Sequence, residues 1–133
     1  MLYYEYNRGD DDMKSFGVFF RKMRAKKRLS LREFCLANGF DPGNISRLER
    51  GILPPPESDD RLEVYAKTLG IKKGSDDWLI FFDLAAAERG RLPKDILKDQ
   101  ELVKKLPVLF RTLRGQRVDD KALDELADRI RRA

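Results

Sequence analysis

The stretch GFDPGNISRLERG, residues 39–51, predicts a very short helix with clear signals at both ends. Asp41 suits the N-cap, because its carboxylate can accept a hydrogen bond from a free amide of the first turn. Pro42 then occupies the first helical position, where a missing N–H group costs nothing, and Gly51 ends the helix. An isolated helix of about two turns is only marginally stable in water, so neighbouring helices must hold this one in place.

Two amphipathic helices are predicted before this element. In the first, apolar residues have the i, i+3, i+4, i+7 spacing of one helix face: Phe16, Phe19, Phe20 and Met23. In the second, Ser30 and Glu33 have the spacing of a capping box, and Gly39 provides the C-terminal stop. We expect the short helix to pack on these neighbours through Ile45 and Leu48.

Two more helices and a helical extension are predicted after the short helix. Ser58 begins the helix predicted at residues 58–70, and Ser75 caps the helix predicted at residues 76–89. The second is apolar on nearly every side, as in a helix buried within a core or against a partner. Residues 91–133 are expected to form two short helices that meet at Pro107, followed by a terminal amphipathic helix. Residues 1–12 are expected to form a poorly ordered arm or a short strand.

The composition argues against several classes of function. The chain has 133 residues and no histidine, so no imidazole is available for a catalytic triad, for general base catalysis or for a usual zinc site. It contains no glycine-rich phosphate-binding motif. We therefore expect no enzyme activity, no catalytic residue, no metal and no cofactor. Because no segment approaches about 20 consecutive apolar residues and Cys35 has no partner, we expect a cytoplasmic protein without membrane contact.

Charge is distributed unevenly along the chain. Residues 13–53 carry ten Lys and Arg against three Asp and Glu, a local balance of +7, whereas residues 54–89 carry five against eight, a balance of −3. A basic segment beside an acidic one is typical of a surface that faces a polyanion. An ordinary solvated surface explains the same charges, so charge alone leaves both interpretations open.

The order of these motifs resembles the Xre-type helix-turn-helix domain, the family typified by phage repressors of the λ and Cro kind. The matching segments begin at residue 16 and read FGVFFRKMR, LSLREFCLANGF, ISRLERG and RLEVYAKTLGI. The resemblance implies an all-α protein, with a five-helix λ-repressor-like domain at residues 13–90. A C-terminal helical extension, residues 91–133, would follow it and could serve dimerisation or partner binding.

The same resemblance implies a DNA interface centred on a recognition helix at residues 42–50. Asn44 is expected to pair with adenine and Arg47 with guanine, while Gly43 brings the backbone close to the base edges. The residues expected to contact phosphate are Ser30, Arg32, Ser46, Arg50 and Arg28. In this family, residues at the positions of Arg24 and Glu49 commonly form a partly buried ion pair.

Two functions fit these residues. The first is a transcriptional regulator, a repressor that binds double-stranded DNA as a homodimer on an inverted repeat, in the nucleoid of a prokaryote or phage-infected cell. The second is an antitoxin-like component that binds a toxin or protease encoded by an adjacent gene and represses its own operon. The basic segment favours the first function. Leu31 and Pro42-Gly43 favour the second, because family members usually have a DNA-contacting glutamine at the position of Leu31 and Pro42-Gly43 supplies no replacement for it.

Overall fold

The computed structural model describes residues 15–115 together with Lys121, Asp124 and Glu125. Over residues 15–115 the chain forms helices and no strand, which confirms the all-α prediction for this part. The helices are α1 (Phe16–Lys26), α2 (Leu31–Asn38), α3 (Pro42–Glu49), α4 (Asp59–Thr68), α5 (Asp76–Glu88), α6 (Lys94–Lys98) and α7 (Gln100–Gly115). The arm predicted for residues 1–12 and nearly all of the predicted terminal helix lie outside the described residues.

The helices of the first unit begin at side-chain caps. In each of α1 to α5 an oxygen accepts a hydrogen bond from the amide three residues later; the capping residues are Ser15, Ser30, Asp41, Ser58 and Ser75. At α2 the capping box is complete, because Glu33 also accepts the Ser30 N–H at 3.0 Å. This backbone hydrogen bond is the main reason that the pKa of the Glu33 carboxyl is lowered. Gly39 ends α2 in the left-handed conformation at φ 70°.

One apolar core joins α1 to α5, and aromatic side chains fill its centre. Phe20 is fully buried and meets Phe34 and Tyr65 edge-on, with ring centroids 5.9 and 5.5 Å away. Phe16 packs against Phe81 of α5 at 4.7 Å. Such aromatic pairs each add about 0.5–1.5 kcal/mol beyond the area they bury. The rings of α1 therefore connect α2, α4 and α5 through a single helix.

The apolar helix α5 closes the first unit. Trp78 is only 9% exposed and stacks on Phe82 at 4.8 Å, so the core position predicted for this helix is confirmed. At its C-terminal end, the Glu88 carboxylate accepts the backbone N–H of Phe16 at 2.8 Å. The first turn of α1 and the last turn of α5 therefore lie side by side.

A second compact unit begins at Lys94, and its helices differ from those predicted. The prediction of two helices that meet at Pro107 is wrong, because α7 continues through that proline. The break lies at Asp99, whose carboxylate accepts the amides of Glu101 and Leu102 at 3.1 and 3.2 Å and so caps α7. A proline inside a helix removes one backbone hydrogen bond, and α7 continues despite that loss. None of the described helices is both long and apolar enough to cross a bilayer.

The backbones of α1 and α3 approach so closely at Gly17 that no side chain fits between them. A Cβ atom on Gly17 would collide with the carbonyl oxygen of Leu48 and would lie 2.7 Å from that of Glu49. A glycine inside a helix is less favourable than alanine by about 1 kcal/mol. Packing against α3, and not helix propensity, therefore explains this residue.

Gly17→Ala should lower the free energy of unfolding by about 1–3 kcal/mol, despite the better helix propensity of alanine. The added methyl group must push α3 away from α1. Urea unfolding followed by circular dichroism measures the change, with Val18→Ala on the same helix as the control, because Val18 is 36% exposed. If Gly17→Ala were as stable as the wild type, the contact would not fix the distance between the helices.

Candidate nucleic-acid interface

The short helix α3 has one buried and one exposed side. Ile45 and Leu48 are 2% and 5% exposed, and the helix packs against α1 and α2. Its outward side carries the exposed residues Asn44, Arg47 and Arg50, with Gly43 and Ser46 half-buried beside them. A helix too short to be stable alone is thus held from behind while a row of polar side chains faces outward.

A nearly buried ion pair fixes the C-terminal end of α3. The Arg24 guanidinium donates from Nε to Glu49 Oε2 at 2.8 Å and from Nη2 to Oε1 at 3.0 Å. Its Nη1 donates to the carbonyl oxygen of Leu29 at 2.9 Å. The two side chains are 11% and 6% exposed, and the hydrogen bonds to Glu49 raise the pKa of Arg24. One guanidinium therefore ties α1, the α1–α2 connection and α3 together.

On the outward side, Arg47 folds back along α3 and contacts Asn44. The Arg47 Nη2 donates to Asn44 Oδ1 at 2.7 Å. The same nitrogen would lie 3.5 Å from a Cβ atom on Gly43, so the guanidinium rests beside the first turn of the helix. The three residues expected to meet bases therefore form one cluster. The spacing of Asn44 and Arg47 predicts neighbours on a helix, but their mutual hydrogen bond was not part of the sequence prediction.

The residues expected to contact phosphate lie in two places. Arg28, Ser30 and Arg32 are exposed at the α1–α2 connection and the start of α2, where the Ser30 hydroxyl accepts the Glu33 amide. Arg50 caps the end of α3, and its Nε donates to the carbonyl oxygen of Ser46 at 3.3 Å. In the described part of the chain, no hydrogen bond joins the first group to the second. Both groups present side chains to solvent.

The loop after α3 is held by Arg89, a residue that the sequence did not identify. Pro55 is fully buried, and its carbonyl oxygen accepts the Arg89 Nε–H at 2.7 Å. The same guanidinium donates from Nη1 to Glu57 at 3.1 Å. The anchor of this loop therefore comes from the C-cap residue of α5. The chain is therefore fixed on both sides of α3.

The described residues include no cluster of three or more Cys, Asp or Glu side chains that could hold a metal ion. Cys35 is fully buried, and burial raises the pKa of its thiol. A buried thiol of this kind is disfavoured as a nucleophile, because the thiolate is the reactive form.

Comparison with protein-family models, with curated proteins and with solved structures found no match to this chain. A function is therefore inferred from the geometry of α3 and of the residues that support it. The sequence motifs suggest how that geometry can be interpreted.

Glu49→Ala should lower the free energy of unfolding by about 3 kcal/mol, because it leaves the Arg24 guanidinium nearly buried without its carboxylate. Thermal unfolding followed by circular dichroism measures the loss. The double variant Arg24→Met, Glu49→Leu should recover most of it, since apolar side chains of similar volume can replace a buried ion pair. An unchanged melting temperature for Glu49→Ala would mean that the pair does not hold α3.

Arg28→Gly should leave the stability unchanged or raise it by up to about 1 kcal/mol, although it removes a charge. Arg28 adopts φ 59°, a left-handed conformation that glycine accepts without strain. Urea unfolding tests this, with Arg28→Ala as the matched control that removes the charge and keeps the strain. A destabilised Arg28→Gly variant would show that the side chain itself supports the fold.

Proposed function

We propose that this chain is a sequence-specific DNA-binding regulator whose helix α3 enters the major groove. In this proposal α1 to α5 form an Xre-type helix-turn-helix domain, with α2 and α3 as the two helices of the motif. The observation that carries the proposal is the combination of a rigidly supported helix with an outward cluster of Asn44 and Arg47. Amide and guanidinium groups are the side chains most used for reading base edges in that groove.

The buried supports of α3 favour a reading role over a purely structural one. Contacts with bases discriminate only if the helix is held at a fixed depth and angle. Here the Arg24–Glu49 ion pair and the close contact at Gly17 act on the same end of α3.

The basic residues around α3 supply the affinity for phosphate in this proposal. Residues 13–53 have a balance of +7. Lys and Arg side chains that neutralise phosphates release counterions, so binding should fall steeply as salt rises. Arg28 and Arg32, near the start of α2, and Arg50, at the end of α3, would contact the phosphate backbone in this proposal.

A homodimer on an inverted repeat would complete the site. A helix of two turns reads only a few base pairs, whereas two copies related by two-fold symmetry place a second helix about 34 Å away. The second unit offers an apolar surface for this pairing, because Val103, Phe110 and Leu113 of α7 are 37%, 40% and 39% exposed. The proposal needs no catalytic residue, metal or cofactor, and it would place the protein with the nucleoid in the cytoplasm.

An antitoxin-like role is the second candidate, and Leu31 favours it. This side chain packs against the core and offers no hydrogen-bond donor at a position where the family usually reads DNA. The apolar face of α7 would then bind a toxin or protease encoded by an adjacent gene, and DNA binding would serve autoregulation. Co-expression with the product of the adjacent reading frame, followed by purification of a complex of fixed stoichiometry, separates this function from the first.

Arg47→Ala should weaken binding to the preferred sequence by roughly 5- to 150-fold and leave binding to unrelated DNA nearly unchanged. The reason is that a base contact discriminates, whereas a phosphate contact does not. Fluorescence anisotropy with DNA from upstream of the gene, at roughly 50 and 200 mM salt, measures both affinities and the salt slope.

Two variants serve as controls in the same titration. Arg28→Gly should weaken binding to every sequence alike and reduce the salt slope by about one, as expected for a phosphate contact. Lys73→Ala removes an exposed charge of the α4–α5 loop that the proposal assigns to no DNA contact, and it should change neither sequence preference nor slope appreciably. Weak binding of the wild type that is indifferent to sequence would contradict the proposed function.

A further inference from the structure

The contact between Arg47 and Asn44 determines what the exposed face of α3 can read. The guanidinium is donor-only, so the Asn44 atom that faces it at 2.7 Å must be the amide oxygen, and the orientation of the amide follows from this. The bond joins a charged donor to a neutral acceptor, which makes it stronger than a bond between two neutral groups. The two side chains thus form one unit on the exposed side of the helix.

The bond leaves Asn44 poorly suited to adenine. Recognition of adenine needs the amide oxygen to accept the N6 amino group while the amide nitrogen donates to N7. Here that oxygen already faces a cation, which weakens it as an acceptor and repels the partly positive amino group. The adenine contact expected for Asn44 would therefore have to use the second lone pair of an oxygen that already accepts from a cation.

The hydrogen-bonding groups of this unit are mostly donors. The guanidinium has five N–H groups, and the bond to Asn44 uses one of them. The Asn44 amide nitrogen adds donors of its own. Guanine is the base that shows two acceptors, N7 and O6, side by side in the major groove, whereas adenine pairs its N7 with an amino donor.

We infer that Asn44 and Arg47 read guanine as a single unit, in which Arg47 contacts the base and Asn44 positions Arg47. This inference rests on the proposed function and specifies its base preference. An arginine side chain loses rotamer freedom when it binds a base. The bond to Asn44 already restricts Arg47 in the free protein, so less freedom is lost on binding. Gly43 lies beside the guanidinium, whose nitrogens would be at the ordinary van der Waals distances of 3.5 and 3.6 Å from a Cβ atom there.

Selection of binding sites from a random duplex DNA library tests the inference, with the full-length wild type and the variants Arg47→Ala, Asn44→Ala and Asn44→Asp. The wild type should enrich a guanine at one position of each half-site. Arg47→Ala should lose the preference for that guanine over adenine by roughly 5- to 150-fold. Asn44→Ala should lower the same preference by roughly 2- to 10-fold, and it should weaken no preference for adenine at any position of the selected sites.

Two further variants distinguish positioning from direct contact. Asn44→Asp keeps an acceptor for Arg47, so it should retain the guanine preference even if its overall affinity falls. The double variant Asn44→Ala, Arg47→Ala should show no smaller guanine preference than Arg47→Ala alone, because Asn44 acts through Arg47. Both side chains are exposed, so thermal unfolding should be unchanged in every variant.

The inference and the proposed function fail in different ways. If Asn44→Ala relaxes an adenine position and leaves the guanine preference intact, Asn44 reads a base on its own, and the inference is overturned while the regulator function stands. If Asn44→Ala and Arg47→Ala each weakened the base preference at a different position to the same extent, the inference would be overturned in the same way. If the wild type enriches no sequence at all, the proposed function fails and the inference fails with it.

Discussion

The ion pair between Arg24 and Glu49 is the interaction on which the position of α3 depends. Its two charges are nearly buried, so each needs the other, and α3 cannot slide along α1 without separating them. Gly17 lies two turns earlier on α1 and touches the backbone of the same end of α3. The ion pair thus fixes the register of the two helices, and the close contact at Gly17 fixes their separation.

Different contacts hold the two ends of α3. Its C-terminal turn is held by α1, whereas its N-terminal turn is held by the buried Ile45 and by its own cap, the Asp41 carboxylate that accepts the Asn44 amide at 2.9 Å. The outward side chains extend from Asn44 in the first turn to Arg47 in the last. Because both ends are held, the outward side of α3 is presented as one fixed surface.

The sequence predicted the local features well and the long-range ones poorly. Helix starts at Ser30, Asp41 and Ser75 were predictable, because a cap involves only residues a few positions apart. The need for glycine at residue 17 was not, since it arises from a backbone that lies far away in the chain. Pro107 predicts a helix break that the structure has at Asp99 instead, where the carboxylate caps α7.

The hydrogen bond between the Phe16 amide and the Glu88 carboxylate has a consequence for how the first unit is connected. The chain enters and leaves α1 to α5 at neighbouring points. Units of this kind tolerate circular permutation, because a short linker can join the old ends while new ones are cut in an exposed loop. The exposed segment at residues 72–74, between α4 and α5, offers such an opening. The packing of the five helices therefore does not depend on the order in which the chain connects them.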